Sequence, residues 1–149
     1  TVESKVNKKA FFNYEILEKF EAGLRLLGGE VKSLKNNHYS LQGAYVTLQN
    51  EEAWLMRATI APYQPKNMAA GYNPERPRKL LLNKKELRYL QGKTKEKGLT
   101  LVPIKVYNKH GQIKIEIGLA KGKTKSDKRE VLKKRIADRD IQRELRHKT

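Results

Sequence analysis

The sequence predicts a mainly β (α+β) protein, a small closed antiparallel barrel followed by a basic C-terminal tail, and three observations lead there. Apolar and polar residues alternate along several stretches, as they do on strands with one buried face. Only one internal segment, the one opening at Asn83, carries an evident helix start. The last 29 residues are charged too densely to belong to a core.

Taken in order, residues 1–9 are short and basic, with no pattern of their own. From Phe12, apolar residues alternate through Tyr14 and Ile16 to Phe20, which predicts a strand interrupted at Leu17. Gly23 and the pair Gly28-Gly29 exclude a long helix here. Glu30 to Lys35 fits either one or two helical turns or a short strand. Ser40 to Gln49 sets Ala44, Val46 and Leu48 against Tyr45 and Thr47, and Asn50-Glu51-Glu52 supplies a turn. Ala53 to Ala61 then places Trp54, Met56, Ala58 and Ile60 on one face, completing a hairpin.

A loop of about sixteen residues follows, with Pro62, Pro65, Gly71, Pro74 and Pro77; loops this long are uncommon in small domains and often functional. Its exit, Arg76-Pro77-Arg78-Lys79, runs into Leu80-Leu81-Leu82. Asn83 and Glu86 then stand three apart as in a capping box, Leu87 and Leu90 form a buried side, and Gly98 is a C-terminal stop. Thr100 to Tyr107 and Gln112 to Leu119 read as two strands turned at Lys109-His110-Gly111, with Ile113, Ile115, Ile117 and Leu119 on one face.

Composition narrows the function. A chain of 149 residues suits one domain, and its formal charge of +17 and pI near 10.1 make a polyanion the default partner. The absence of cysteine excludes a disulfide frame or thiolate metal site and fits a reducing cytoplasm. No apolar run approaches the roughly 18 residues of a membrane span, and the N-terminus lacks a signal peptide's apolar core. We therefore expect a cytoplasmic protein with no membrane partner.

Lys121 to Thr149 holds seven Lys and five Arg against five acidic residues, a net of +7 beside +10 for the other 120. Charge is thus about threefold denser in the tail than in the body. Six apolar residues, none aromatic, cannot offset the entropy of ordering the segment alone. Leu132 to Ile136 and Ile141 to Leu145 are nevertheless i,i+4 steps, and no Gly or Pro follows Gly122. Two accounts stand: a solvated basic appendage, or a conditional helix that orders against something anionic. The domain division is accordingly 1–120 for the folded body and 121–149 for the tail.

Enzymatic chemistry finds no support. Gly122-Lys123-Thr124 ends like a phosphate-binding loop, but that loop needs four residues before its Gly-Lys-Thr and Gly118 leaves three. His38, His110 and His147 are isolated. Glu15, Glu18 and Glu21 alternate faces on a regular strand and so do not converge as an acid and base would. Neither a nucleophile with an evident base nor a metal or cofactor site is expected.

No helix-turn-helix, zinc module or basic zipper is legible. Small barrels with aromatic and basic side chains suit single-stranded or structured RNA, and Tyr14, Tyr39, Tyr45, Tyr63 and Tyr72 are candidate stackers, about half of them core residues. The residues alone lead to an RNA-binding barrel with an inducible tail. A structural ribosomal protein is the competing class.

A set of motifs goes further. Asn7-Lys8-Lys9-Ala10, Tyr14-Glu15-Ile16, Phe20-Glu21-Ala22-Gly23, Glu30-Val31-Lys32-Ser33-Leu34, Ile60-Ala61-Pro62-Tyr63, Arg78-Lys79-Leu80-Leu81-Leu82, Gly98-Leu99-Thr100-Leu101-Val102-Pro103, Gly118-Leu119-Ala120-Lys121-Gly122-Lys123 and Asp127-Lys128-Arg129 occur in this order. Together they resemble the small protein B (SmpB) family, the bacterial tmRNA-binding proteins. The resemblance implies an oligonucleotide-binding (OB) type barrel with about three helices. It implies binding to the tRNA-like domain of tmRNA, entry with it into the A site of a stalled ribosome, and rescue by trans-translation. Partners would be tmRNA, small-subunit rRNA at the decoding centre and, through tmRNA, elongation factor Tu and alanyl-tRNA synthetase. Carried over by position, Asn7, Lys8, Tyr14, Glu21 and Leu81 would face tmRNA. Gly122, Lys123, Lys125, Asp127, Lys128, Arg129, Lys133, Lys134 and Arg135 would serve the decoding centre and the empty mRNA channel, with Gly122 as the hinge and the tail helical when bound. Two positions depart from the family pattern: Phe12 stands where the family more usually has His, and Ser126 where a ring is expected.

Overall fold

The computed structural model describes residues 6–64, 70–124, 128–129, 132–137 and 139. Two antiparallel sheets are formed. The larger has the order β3-β4-β6-β1-β8-β7, from β1 (Tyr14–Leu24), β3 (Tyr45–Gln49), β4 (Glu52–Met56), β6 (Arg78–Leu81), β7 (Leu99–Lys109) and β8 (Gln112–Gly122). The smaller pairs β2 (Tyr39–Ser40) with β5 (Thr59–Ile60). Among the described residues, α1 (Lys8–Asn13), α2 (Gly28–Lys35) and α3 (Lys84–Thr94) accompany them, besides the helical residues of the tail. The end strands β3 and β7 approach each other, but no ladder joins them among the described residues, so the sheet is strongly curled rather than shown closed.

The β7–β8 hairpin follows its alternation. Ile113, Ile115, Ile117 and Leu119 are buried, and His110 and Gly111 both take positive φ, the geometry of a two-residue turn that matches strand twist. Asn50 and Glu51 do the same between β3 and β4. On β4 the expected face is reversed: Ala53 and Leu55 are buried, while Trp54 and Met56 are half-exposed. Ala53 to Met56 is apolar on both faces, so alternation could not choose between them. Arg57, at φ 59, then breaks the strand, and Thr59–Ile60 joins the small sheet.

Leu34 of α2 and Leu90 of α3 enter the main core with Leu55, Leu80, Ile115 and Ile117. The Asn83 side chain accepts from the Glu86 N–H at 2.7 Å, and Glu86 reciprocates, so α3 begins where the cap predicted. Helix α1, with no sequence signal, packs Ala10 on Val102 and Ala120 against the opposite face of the sheet. Pro103, which has no N–H to give, sits beside a bulge in β7, and Asn7 uses the carbonyls there. Its N–H donates to Ile104 O at 2.7 Å and its Nδ2 to Pro103 O at 3.1 Å.

The proline-containing loop is tied down by a buried ion cluster. Glu30 and Arg78 are fully buried. The Glu30 carboxylate accepts from Arg76 Nε at 3.0 Å and also from its Nη2, from Arg78 Nε at 2.9 Å and Nη2 at 2.6 Å, from Tyr72 Oη at 3.0 Å and from Leu27 N. Burial raises the Glu30 carboxyl pKa, but the bonds from Arg76, Leu27 and Arg78 outweigh it and hold the group below 4.5. The same cluster keeps the start of α2 in place although Gly28-Gly29 favours no helix.

Candidate nucleic-acid interface

The two ends of β1 carry different groups. At its C-terminal end, Gly23 pairs with Leu81 on one side and Lys114 on the other. Leu81 is 47% exposed and lines a shallow groove with Gly23, Leu24, Leu26, Val31, Ile113 and Lys114. A Cβ on Gly23 would lie 3.2 Å from Leu81 Cβ, so the glycine allows Leu81 to lie close against the strand. Glu21, two residues back, accepts from Tyr107 Oη and from Lys109 Nζ at 3.2 Å. The Tyr107 bond is the main cause of a lowered Glu21 carboxyl pKa, opposed by burial and assisted by Lys109 and Lys114. Sequence reasoning named Glu21 and Leu81 but missed Lys114, Tyr107 and Lys109. Register brings those residues together, and only a strand-pairing map could have found them.

At the N-terminal end, Tyr14 pairs with Gly122 and packs beside Ala10 and Ala120. It lies nine residues from Gly23 along β1, at most about 30 Å at full strand rise. Tyr14 follows α1 at this end, whereas Asn7, which precedes α1, is bonded to Pro103 and Ile104 near the rung Pro103–Ile117–Phe20, closer in register to Glu21. Lys8 is exposed, whereas the Asn7 amide is committed to β7.

The root of the tail lies at this same end. Gly122 is a strand residue in the β8 ladder, which runs two residues beyond the boundary that charge density gave, and its φ is not in the positive region. Lys123 donates its N–H to Asn13 O at 2.9 Å and its Nζ to Phe11 O at 2.8 Å, binding it to the end of α1. Lys128 N donates to Thr124 O at 3.1 Å. Lys128, Arg129, residues 132–137 and Arg139 are helical. Arg129, Lys133, Lys134 and Arg135 are exposed, and Lys128 is half-buried. Lys128 Nζ and the Arg135 guanidinium lie 6.0 and 5.7 Å from the centre of the Phe12 ring. Lys125, Asp127 and Ser126 lie outside the described residues.

The strand expected from Phe12 begins at Tyr14, and Phe12 belongs to α1. A bulge at Leu17 also changes the carboxylate pattern. Glu15 and Glu18 share a groove with Tyr89 and Lys93, contrary to strict alternation, while Glu21 stands elsewhere. Glu18 accepts from Tyr89 Oη at 2.7 Å, so it is occupied in a surface bond. Among the described residues no His, Asp and Glu group could hold a metal ion, and no helix is long and apolar enough to cross a membrane.

Together these features define a basic protein built on a curled antiparallel sheet, with cations and aromatics at both ends of one strand and a cationic helix leaving from one of them. The chain belongs to the SmpB protein family, whose profile matches residues 4–147. It is 51% identical to the SsrA-binding protein of Sulfurihydrogenibium sp. (strain YO3AOP1) over 95% of this chain and 93% of that one. It is 50% identical to that of Carboxydothermus hydrogenoformans, over 94% and 93%. A chain from the solved complex described as "tmRNA-SmpB: a journey to the center of the bacterial ribosome" matches with a TM-score of 0.67 and 44% identity, over 87% of this chain and 94% of that chain.

Proposed function

We propose that this chain binds the tRNA-like domain of tmRNA and carries it into the A site of stalled ribosomes, where the tail senses an mRNA channel without message. The carrying observation is the cationic helix rooted beside Tyr14, at the opposite end of β1 from Glu21 and Leu81. Such an arrangement lets one body hold an RNA while its tail reaches another. The family membership and the relatives' names support the same reading.

In this reading the curled sheet acts as an OB-type barrel, with Leu81, Glu21, Asn7, Lys8 and Tyr14 toward tmRNA. Lys114 joins that surface by its place beside Leu81. Lys125, Asp127, Lys128, Arg129, Lys133, Lys134 and Arg135 serve the decoding centre and channel through phosphate neutralisation and shape. Elongation factor Tu and alanyl-tRNA synthetase meet the chain through the RNA. The protein works in the cytoplasm, where ribosomes are.

The tail is a marginal helix completed by rRNA. Nucleating a helix costs about 4 kcal/mol at a nucleation constant near 10⁻³. Exposed cation–π contacts such as the two on Phe12 return about 0.5–1 kcal/mol each. A synthetic peptide of residues 121–149 is expected to show little helix by circular dichroism in plain buffer. A stable helix there would mean that the tail arrives preformed.

A protein cut after Thr124 keeps the whole β8 ladder and is expected to bind tmRNA. Its affinity should fall with salt, with a log–log slope of about −0.7 per phosphate contacted if the contacts resemble single strands. A folded truncate without affinity in such a titration would refute this division between body and tail. Tyr14→Ala tests Tyr14 itself: loss of a base stack would weaken binding by about 1–3 kcal/mol, beyond the modest fall in melting temperature that its packing beside Ala10 and Ala120 implies. A lowered melting temperature with normal affinity would leave Tyr14 with its packing role alone and remove it from the RNA surface.

A further inference from the structure

Glu21 is an anionic group within a surface proposed to bind a polyanion, and its neighbours explain how it is used. Tyr107 Oη donates to Oε2, and Lys109 Nζ lies 3.2 Å from Oε1 and 3.3 Å from Oε2. Both donors come from β7, two strands away from β1 across β8. The Tyr107 ring is itself covered by Lys105, whose Nζ lies 5.7 Å from its centre. Burial and the bond to Glu21 both raise the Tyr107 hydroxyl pKa, so it remains a donor across the physiological range. The bond from Tyr107, then Lys109, lowers the Glu21 carboxyl pKa from its ordinary value, and an ionised carboxylate is an acceptor only.

A carboxylate in that state repels phosphate and accepts from N–H or O–H groups. Each ionised oxygen has two lone pairs, so the inward bonds leave acceptor capacity facing solvent. The side chains of Glu21 and Lys109 are 37% and 50% exposed, which keeps the group reachable.

We propose that Tyr107 and Lys109 are positioning residues for RNA recognition. They hold Glu21 in place as an outward-facing acceptor for a base amino, base imino or 2′-hydroxyl donor, a position from which the carboxylate itself excludes phosphate. This rests on the proposed contact between Glu21 and tmRNA. Rigid support of this kind matters because a site held loosely by about 1 Å loses much of its complementarity.

The test is a cycle on the full chain, with whole tmRNA titrated at fixed salt against wild type, Glu21→Gln, Tyr107→Phe and the double variant. Tyr107→Phe keeps the ring and removes only the donor, and Lys109→Met serves as a second probe of the same support. We expect each single variant to weaken binding about tenfold, the size of a lost hydrogen bond to a charged group. Melting temperatures should stay unchanged. The double variant should bind no more weakly than Glu21→Gln alone, which a separate effect on folding would not produce. Full affinity in Tyr107→Phe and Lys109→Met beside a weakened Glu21→Gln would overturn the positioning role, as would strictly additive losses. Full affinity in Glu21→Gln itself would remove Glu21 from the RNA surface and the proposal with it.

Discussion

Replacing Arg78 by Met should destabilise the protein by about 3–5 kcal/mol, because it leaves the Glu30 carboxylate buried with one guanidinium fewer. A typical domain has only about 5–15 kcal/mol in total, so the variant would stand near the edge of folding. Arg78 is fully buried and also donates to Pro74 O at 2.9 Å and to Ala58 O. Its loss therefore loosens the proline-containing loop and the link from β4 to β5 as well. Urea denaturation measures the effect directly. Replacing both charges, as Glu30→Leu with Arg78→Met, should cost less than the sum of the two single changes, since neither fully buried charge is left without its partner and Arg76, which also loses Glu30, is only partly buried.

Acid titration supplies the sign. The folded-state pKa of Glu30 lies below the ordinary 4.5, so its contribution to stability is complete above that value and is lost as pH falls through the folded value. Wild type should lose stability on acidification below about pH 4.5. A pair-deleted variant should show a shallower decline over the same interval. An identical acid profile for the two proteins would show that the cluster does not govern acid stability.

The second large effect is functional. Ile136 lies among the helical tail residues and is 57% exposed, so its side chain supports no core. Ile136→Pro should leave tmRNA affinity and body stability unchanged yet abolish tagging of stalled peptides, since an interior Pro costs a helix about 3 kcal/mol. Asp127-Lys128-Arg129 replaced by alanines should do likewise by removing the contacts proposed for them at the channel mouth. Both variants tagging at the wild-type rate in a reconstituted translation assay would make the tail a solvated appendage. A loss of tmRNA binding in either would mean that the tail belongs to the first RNA site rather than a second.

The parts legible in the sequence are those whose signal is local. Asn83 and Glu86 announce α3 because a cap is completed within one turn, and Ile113 to Leu119 announces β8 because one face is fully buried. Helix α1 gave no signal because its six residues are stabilised by Ala10 meeting Val102 and Ala120, far away in sequence. The Glu30 to Lys35 stretch left two alternatives because what decides for a helix is the pairing of Glu30 with Arg76 and Arg78, more than forty residues on. The interface divides in the same manner. Motif resemblance named Glu21 and Leu81 singly, whereas their grouping with Lys114, Tyr107 and Lys109 exists only through register. The resemblance gave Gly122 as a hinge, whereas Gly122 stands in the β1–β8 ladder opposite Tyr14.

The anchoring of Lys123 on α1 has a rotational consequence. Lys123 is held on α1, Thr124 accepts from the Lys128 N–H, and Lys128 and Arg135 lie over the Phe12 ring. The body thus sets the azimuth at which the tail's cations emerge, much as a keyed shaft sets the orientation of a tool. One residue inserted after Leu132, within the helical run 132–137, would turn the cations from Lys133 onward by about 100° and advance them by about 1.5 Å relative to the residues before it. Composition, net charge and helix propensity would hardly change. A tail recognised merely for its charge would tolerate that insertion, whereas one presented in a fixed angular phase would not.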